Sequence, residues 1–206
     1  MPHFIDTIKL ADGNYKLIDY HNRRVNDTIR HFFGAGFEIN IKTIMPAPDE
    51  YKIGTYKCRL VYAKRVDNIQ ITPYVKRTIT KLKIMDSDEI DLPSGCKPLN
   101  YEFKYKDRTC INCFLSGLDD TTDVLITRNG LITDTSFSNV ILFDGQKWIT
   151  PNTCLLNGIK RRYLLDKGDI EEKKISTVDL PYFQKISLIN AMLEPEDIEI
   201  KISSII

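Results

Sequence analysis

Apolar and polar positions alternate from Phe4 to Leu10, break at Asp12-Gly13-Asn14 and alternate again from Tyr15 to Tyr20, so the chain is expected to open with a β-hairpin. Over Asp19 to Phe33 the spacing changes, with Val25, Ile29, Phe32 and Phe33 at i, i+4, i+7 and i+8, which predicts a helix with one apolar face. Gly34-Ala35-Gly36 ends it. Alternation returns over Tyr56 to Val66 and Asn68 to Tyr74, predicting a two-stranded ribbon turned at Asp67-Asn68, and Thr78 to Ile84 is expected to add a third strand.

From Asp86 to Pro98 turn formers and acids replace the periodic pattern, as expected of a connection between two domains. The organisation expected is a small N-terminal α/β domain over 1–85, a connection over 86–98 and a larger C-terminal domain over 99–206. In that second domain Val124 to Thr127 and Leu131 to Thr133 read as strands about Arg128-Asn129-Gly130. Val140 to Phe143 and Lys147 to Ile149 pair about Asp144-Gly145, and Gly158 to Asp166 begins a helix. Ile170 to Ile175 and Ile186 to Ile189 read as further strands, with Thr177 to Phe183 as a short helical link. The class expected is mixed α+β.

Composition narrows the partners. The chain has 206 residues and 42% apolar content, enough for a real core, with 29 Lys plus Arg interspersed among 28 Asp plus Glu. That balance gives no long-range field toward nucleic acid or an anionic membrane, so a small-molecule substrate is expected. Met1 to Leu10 has no basic run followed by an apolar stretch, and no run of about 18 apolar residues occurs, so a cytoplasmic protein is expected. Five cysteines at irregular spacing argue against a disulfide framework. Cys110-Ile-Asn-Cys113 lacks a second pair or a His cluster, and no metal is expected.

The densest chemistry lies between Asp123 and Arg161. An acid in a buried-looking strand is followed by two places where backbone amides can gather round an anion: the Ser136-Phe137-Ser138-Asn139 stretch and the helix opening at Gly158-Ile159. An aromatic cofactor with a phosphate tail needs that combination.

Set in order along the chain, these residues carry a resemblance. Asp6-Thr7, His21-Asn22-Arg23-Arg24, Lys104, Asn129-Gly130-Leu131-Ile132-Thr133-Asp134-Thr135-Ser136-Phe137-Ser138-Asn139, Thr150-Pro151 and Leu156-Asn157-Gly158-Ile159-Lys160-Arg161 follow one family's pattern. The chain resembles the class IV aminotransferase superfamily, the fold-type IV enzymes that use pyridoxal 5'-phosphate (PLP). The resemblance implies a small α/β domain followed by a barrel-like α+β domain, a PLP cofactor and a homodimer.

It also implies roles. Such an enzyme needs one lysine that bonds to the cofactor aldehyde and, once freed, moves protons at the substrate carbon. The family's spacing to the acidic block favours Lys104, with Lys106 as competitor, since two residues apart on an extended segment they share a face. A carboxylate beside the ring nitrogen keeps it protonated, and Asp134 stands where the family usually has Glu. Arg24 resembles the phosphate-binding arginine, with Arg23 on another side of the helix. Ser136, Ser138, Asn139, Gly158 and Ile159 match the phosphate-side donors. Lys160 replaces the commoner Thr, leaving its backbone N–H for the anion. Asn190-Ala191-Met192 resembles a segment of the lyase branch that closes over the phosphate side. His21 is expected to orient its helix, and Trp148 to pack in the core.

Three details, the non-Thr residue after Gly158-Ile159, Lys104-x-x-x-Arg108 and Asn190-Ala191-Met192, lean toward the branch that acts on 4-amino-4-deoxychorismate. There the freed Lys104 takes the proton from the amine-bearing carbon, and pyruvate leaves to give 4-aminobenzoate. Transamination of a branched-chain or D-amino acid is the alternative. Phe4-Ile5-Asp6-Thr7 begins almost at Met1, where relatives carry a further hairpin, so a non-catalytic relative is a third reading. Substrate contacts are expected from the loops over Met45 to Gly54 and 86–98.

Overall fold

The structure, a computed structural model, describes residues 1–46 and 48–206. Its contacts divide the chain into two units, Met1–Lys76 with Phe103–Asp107, and Arg77–Glu102 with Arg108–Ile206. The chain therefore leaves the first unit after Lys76 and revisits it for one short segment, which contains Lys104. The stretch expected to connect two domains, 86–98, lies inside the second unit. One residue of the Met45 to Gly54 loop, Ala47, lies outside the described residues.

The first unit contains β1 (Phe4–Ala11), β2 (Asn14–Tyr15), α1 (Ile18–Phe33), α2 (Ile41–Ile44), a 3-10 turn, β3 (Thr55–Tyr62) and β4 (Val66–Pro73), with the antiparallel sheet order β2-β1-β3-β4. The opening hairpin forms, but its second strand stops at Tyr15. Leu17 takes a left-handed backbone (φ 53°), and its carbonyl receives the N–H groups of Tyr20 and His21, so the chain turns straight into α1. The ribbon turns at Ala63–Arg65, ahead of Asp67-Asn68, because Val66 already pairs with Tyr62 across a bulge. Val25 and Ile29 of α1 are fully buried against Phe4 and Ile8 of β1 and Leu60 of β3. Each such side chain contributes about 1.5–3 kcal/mol on burial.

The second unit contains β5 (Lys81–Asp86), α3 (Thr109–Asn112), β6 (Thr122–Arg128), β7 (Leu131–Thr135), β8 (Asn139–Phe143), β9 (Trp148–Pro151), α4 (Ile159–Lys167), β10 (Glu171–Lys173), β11 (Lys185–Ile189) and β12 (Glu199–Lys201), with three 3-10 turns. The sheet order is β10-β9-β8-β7-β6-β5, with β11 added on β8 and β12 on β11, curled into a half-barrel. The expected third strand does not extend the first unit's ribbon. It is β5, and it runs parallel to β6 in this sheet. Its alternation signals a half-buried strand but carries no information about which neighbour covers its edge. Val140 and Leu142 of β8 face the main core, whereas Ile141 packs with Leu164 of α4, so β8 is apolar on both sides.

Cys96 and Cys110 form a disulfide, Cα atoms 5.4 Å apart, a single bond where the sequence argued against a disulfide framework. Spacing cannot show that the excursion between them returns to its starting point. Among the described residues no helix is long and apolar enough to cross a membrane.

Candidate functional site

In the second unit the site residues are organised around Asp134, at the end of β7. It is buried, and its register partner across the β7–β8 turn is Asn139. The turn itself is closed by Thr135 and Ser138: the Thr135 N–H donates to the Ser138 carbonyl at 2.9 Å, and the two hydroxyls stand 2.7 Å apart. Both Asp134 oxygens are directed. Oδ1 accepts from Nδ2 of Asn139 at 2.7 Å and Oδ2 from the Leu156 N–H at 2.9 Å, while the same Asn139 nitrogen donates to the Leu156 carbonyl at 2.8 Å. Burial pushes the Asp134 carboxyl up to about 6 against the opposing pull of these two donors. The Cys154 thiol is pushed up to about 11 by burial, with the Asp134 charge adding to it.

Gly158 precedes α4 and caps it without any side-chain hydrogen bond, so the first N–H groups of that helix are not taken by a capping side chain. Ile159 and Lys160, in its first turn, are buried. The Lys160 ammonium is bound to Glu194 at 2.6 Å, which commits its side chain to that pair. Arg161 is buried too and is structural. Its guanidinium donates to the Pro151 carbonyl at 2.9 Å, to Thr150 and Asn157 at 3.3 Å, and to Glu172. This one side chain ties Thr150-Pro151 to the Leu156–Arg161 motif.

Asn190 has a similar stitching role. Its carbonyl accepts from the Met192 and Leu193 N–H groups at 2.8 and 3.1 Å, and its amide donates to the Phe137 carbonyl at 3.3 Å. Arg108 donates to the Ser136 carbonyl, so the arginine four residues after Lys104 is joined to the loop that follows Asp134. Hydrogen bonds thus join Asp134, Asn139 and Leu156, the Thr135–Ser138 pair closes the turn between Asp134 and Asn139, and Ser136 and Phe137 of that turn are held by Arg108 and Asn190.

Asp123, at the start of β6, is a buried acid that periodicity passed over, because it reads as the polar edge of an apolar run. Its Oδ1 accepts the Val124 N–H at 2.8 Å, and its Oδ2 has no hydrogen-bond partner among the described residues. Burial raises its pKa, against the nearby Ser136 hydroxyl. It lines a cavity of about 600 Å³ with Arg77, Ile79, Leu115 and Asp119.

The first unit holds the other two predicted residues, Arg24 and Lys104. Asp6, fully buried on β1, receives Nη2 of Arg24 at 2.6 Å and Nδ1 of His21 at 2.8 Å on the same oxygen, and Arg24 Nε approaches the other at 3.4 Å. Burial alone would raise the Asp6 pKa, but Arg24 and His21 hold it well below the usual carboxylate range. Arg23 is exposed and lies over the Tyr20 ring, on a different side of α1.

Phe103 and Tyr105 anchor the lysine segment. The Phe103 ring packs 4.8 Å from that of Phe32, and the Tyr105 ring 5.2 Å from that of Phe4. The Ile5 N–H donates to the Lys104 carbonyl at 2.9 Å and the Lys106 N–H to that of His3 at 2.8 Å, so the segment pairs with β1 as a short antiparallel bridge. Alternation then carries Lys104 and Lys106 to the face opposite the two rings. Lys104 is half-buried there and Lys106 exposed, a distinction that sequence alternation alone did not make.

Residues 93–195 match the family model for amino-transferase class IV. An uncharacterised protein of Haemophilus influenzae is 29% identical over 189 residues, covering 91% of this chain and 96% of that one. Among solved structures, a candidate 4-amino-4-deoxychorismate lyase of Haemophilus somnus is 28% identical with a TM-score of 0.81, covering 93% of this chain and 97% of that one. The PLP-bound form of a hypothetical aminotransferase of Mycobacterium tuberculosis is 16% identical, with a TM-score of 0.76 and coverages of 99% and 81%, and so shares the fold. With half of its length matched by the family model, and with the acidic block, Thr150-Pro151 and the Gly158 turn joined as described, the chain belongs to the class IV aminotransferase family.

Proposed function

We propose that this chain is a PLP-dependent enzyme acting as a 4-amino-4-deoxychorismate lyase. The observation that carries the cofactor reading is Asp134, a buried carboxyl whose two oxygens are aimed by Asn139 and Leu156. A buried acid poised near neutrality suits a pyridine nitrogen that must hold a proton. The donor set fits the rest of the cofactor. The α4 N-terminus and Arg24 offer N–H groups and positive charge for a phosphate, and Lys104 an amine for an aldehyde.

When bound, PLP supplies an aldehyde that takes up a primary amine and a ring that accepts the electrons left on the amine-bearing carbon. The chain supplies the rest. Lys104 would hold the cofactor by its aldehyde and, with its amine free, would take the proton from the amine-bearing carbon. Asp134 stabilises the ring-nitrogen proton. The N–H groups of Ile159 and Lys160, with Ser136, Ser138, Asn139 and Gly158, would hold the phosphate, and the family resemblance assigns Arg24 to the same group. Asn190 supports the turn that carries Ser136 and Ser138 through Phe137. Loss of pyruvate then leaves 4-aminobenzoate.

The lyase reading is supported by the similar H. somnus structure and by Arg108, placed by its bond to Ser136 beside the acidic block. Transamination is the second reading. It is favoured by the family model that the chain matches, that of amino-transferase class IV. A cytoplasmic homodimer completes the proposal. The test is to incubate the PLP-loaded protein with 4-amino-4-deoxychorismate and, separately, with pairs of amino and keto acids. Pyruvate and 4-aminobenzoate formed in equal amounts, and lost in Lys104→Ala, are expected. Amino-group exchange without pyruvate release would overturn the lyase reading, and failure to take up PLP would overturn both.

A further inference from the structure

The Asp6–His21–Arg24 cluster is more elaborate than holding α1 onto its sheet requires. Phe4 and Ile8, the neighbours of Asp6 on the same side of β1, do that with apolar contact to Val25 and Ile29. Burying a carboxylate and a guanidinium between them gains little over well-packed apolar groups, since desolvation offsets most of the attraction. What a buried pair of this kind does confer is a fixed geometry.

Here the geometry is that of Arg24. Asp6 takes the Nε–Nη2 edge of the guanidinium, and its Oδ1 is itself fixed by the Thr7 N–H at 2.6 Å and by His21 Nδ1 at 2.8 Å. His21 has 1% of its side chain exposed and Asp6 none, so neither can swing away. A planar fork held by one edge presents Nη1 and the second Nη2 proton on the other. The Arg24 side chain keeps 13% exposure, enough for that free edge to meet a ligand. An arginine otherwise loses side-chain freedom on binding, and one already clamped has lost it beforehand.

We infer that Asp6 is a positioning residue: together with His21 it locks the Arg24 guanidinium in the orientation that binds the phosphate of the cofactor. This rests on the reading of Arg24 as a phosphate ligand, and the two can fail separately. The experiment compares the affinities of the purified apo protein for PLP and for pyridoxal, which lacks the phosphate, by absorbance or fluorescence titration. The ratio of the pyridoxal to the PLP dissociation constant isolates the phosphate contribution, while pyridoxal affinity reports on the rest of the site.

In Asp6→Asn the ratio should fall roughly tenfold while the pyridoxal constant stays within about twofold. Arg24→Lys keeps a positive charge but has no fork for Asp6 to hold, and should lower the ratio similarly; it carries the test if Asp6→Asn does not fold. A ratio unchanged in either variant, while Arg24→Met lowers it, overturns the inference and leaves Arg24 as a phosphate ligand. A wild-type protein that binds pyridoxal as tightly as PLP overturns the phosphate reading of Arg24 itself.

Discussion

A Cβ placed on Gly158 would stand 2.0 Å from Oδ1 of Asn139. The backbone of Gly158, at φ −67° and ψ 153°, suits any residue. The requirement for glycine is therefore imposed by one side-chain atom, and that atom belongs to the group that aims Asp134.

Gly158→Ala should consequently act through Asn139. Asn139 is buried and its amide holds both Asp134 and the Leu156 carbonyl, so displacing it costs about 1–3 kcal/mol in hydrogen bonds left unmade. Denaturant melts of Gly158→Ala, Asn139→Ala and the double variant check this. The double variant should be less destabilised than the sum of the singles, because the methyl then has no amide to displace. Strict additivity would mean that the glycine serves another purpose.

Asp134 should give the apo protein a distinctive pH profile. Its folded pKa, about 6, lies above the unfolded carboxylate value near 4, so between these the folded chain keeps a proton that the unfolded chain has lost. Its contribution is fully present below about pH 4 and is lost as pH rises through about 6, a change of about 3 kcal/mol. Asp6, with a depressed pKa, contributes in the opposite sense, losing its stabilisation as pH falls. Comparing wild type with Asp134→Asn by urea melts from pH 4 to 7 cancels the Asp6 part. Wild type should lose about 2–3 kcal/mol relative to the variant as the pH rises, and parallel curves would refute the assignment.

The Lys160–Glu194 pair predicts an asymmetry. The lysine side chain is 6% exposed and the glutamate 49%. Glu194→Gln leaves a buried ammonium without its counter-charge, at about 1–3 kcal/mol, whereas Lys160→Met leaves a half-exposed carboxylate that water can solvate and should be close to neutral. Melting temperatures of the two variants decide it; equal losses would show that the pair acts only at the surface.

Arg161→Lys should be costly although charge is kept. One ammonium cannot reach the Pro151 carbonyl, Thr150, Asn157 and Glu172 together, and a loss of about 2–4 kcal/mol is expected by chemical denaturation. A loss below half a kcal/mol would show that charge, and not the fork, is what the site uses.

What the amino-acid order determined by itself was local. The α1 periodicity, the strands about Asn129-Gly130 and Asp144-Gly145, the helix after Gly158 and the ordered motif that marks the family are each written in residues a few positions apart. Tertiary structure decided every choice of distant partner. β5 joined β6, Cys96 met Cys110, the segment around Lys104 returned to β1, Glu194 took the Lys160 amine, and Asp6 took the edge of Arg24. Periodicity reports which face of an element is buried, because burial repeats with the element's own geometry. Which group stands across from that face depends on how distant segments close on one another, and no spacing within a segment records it.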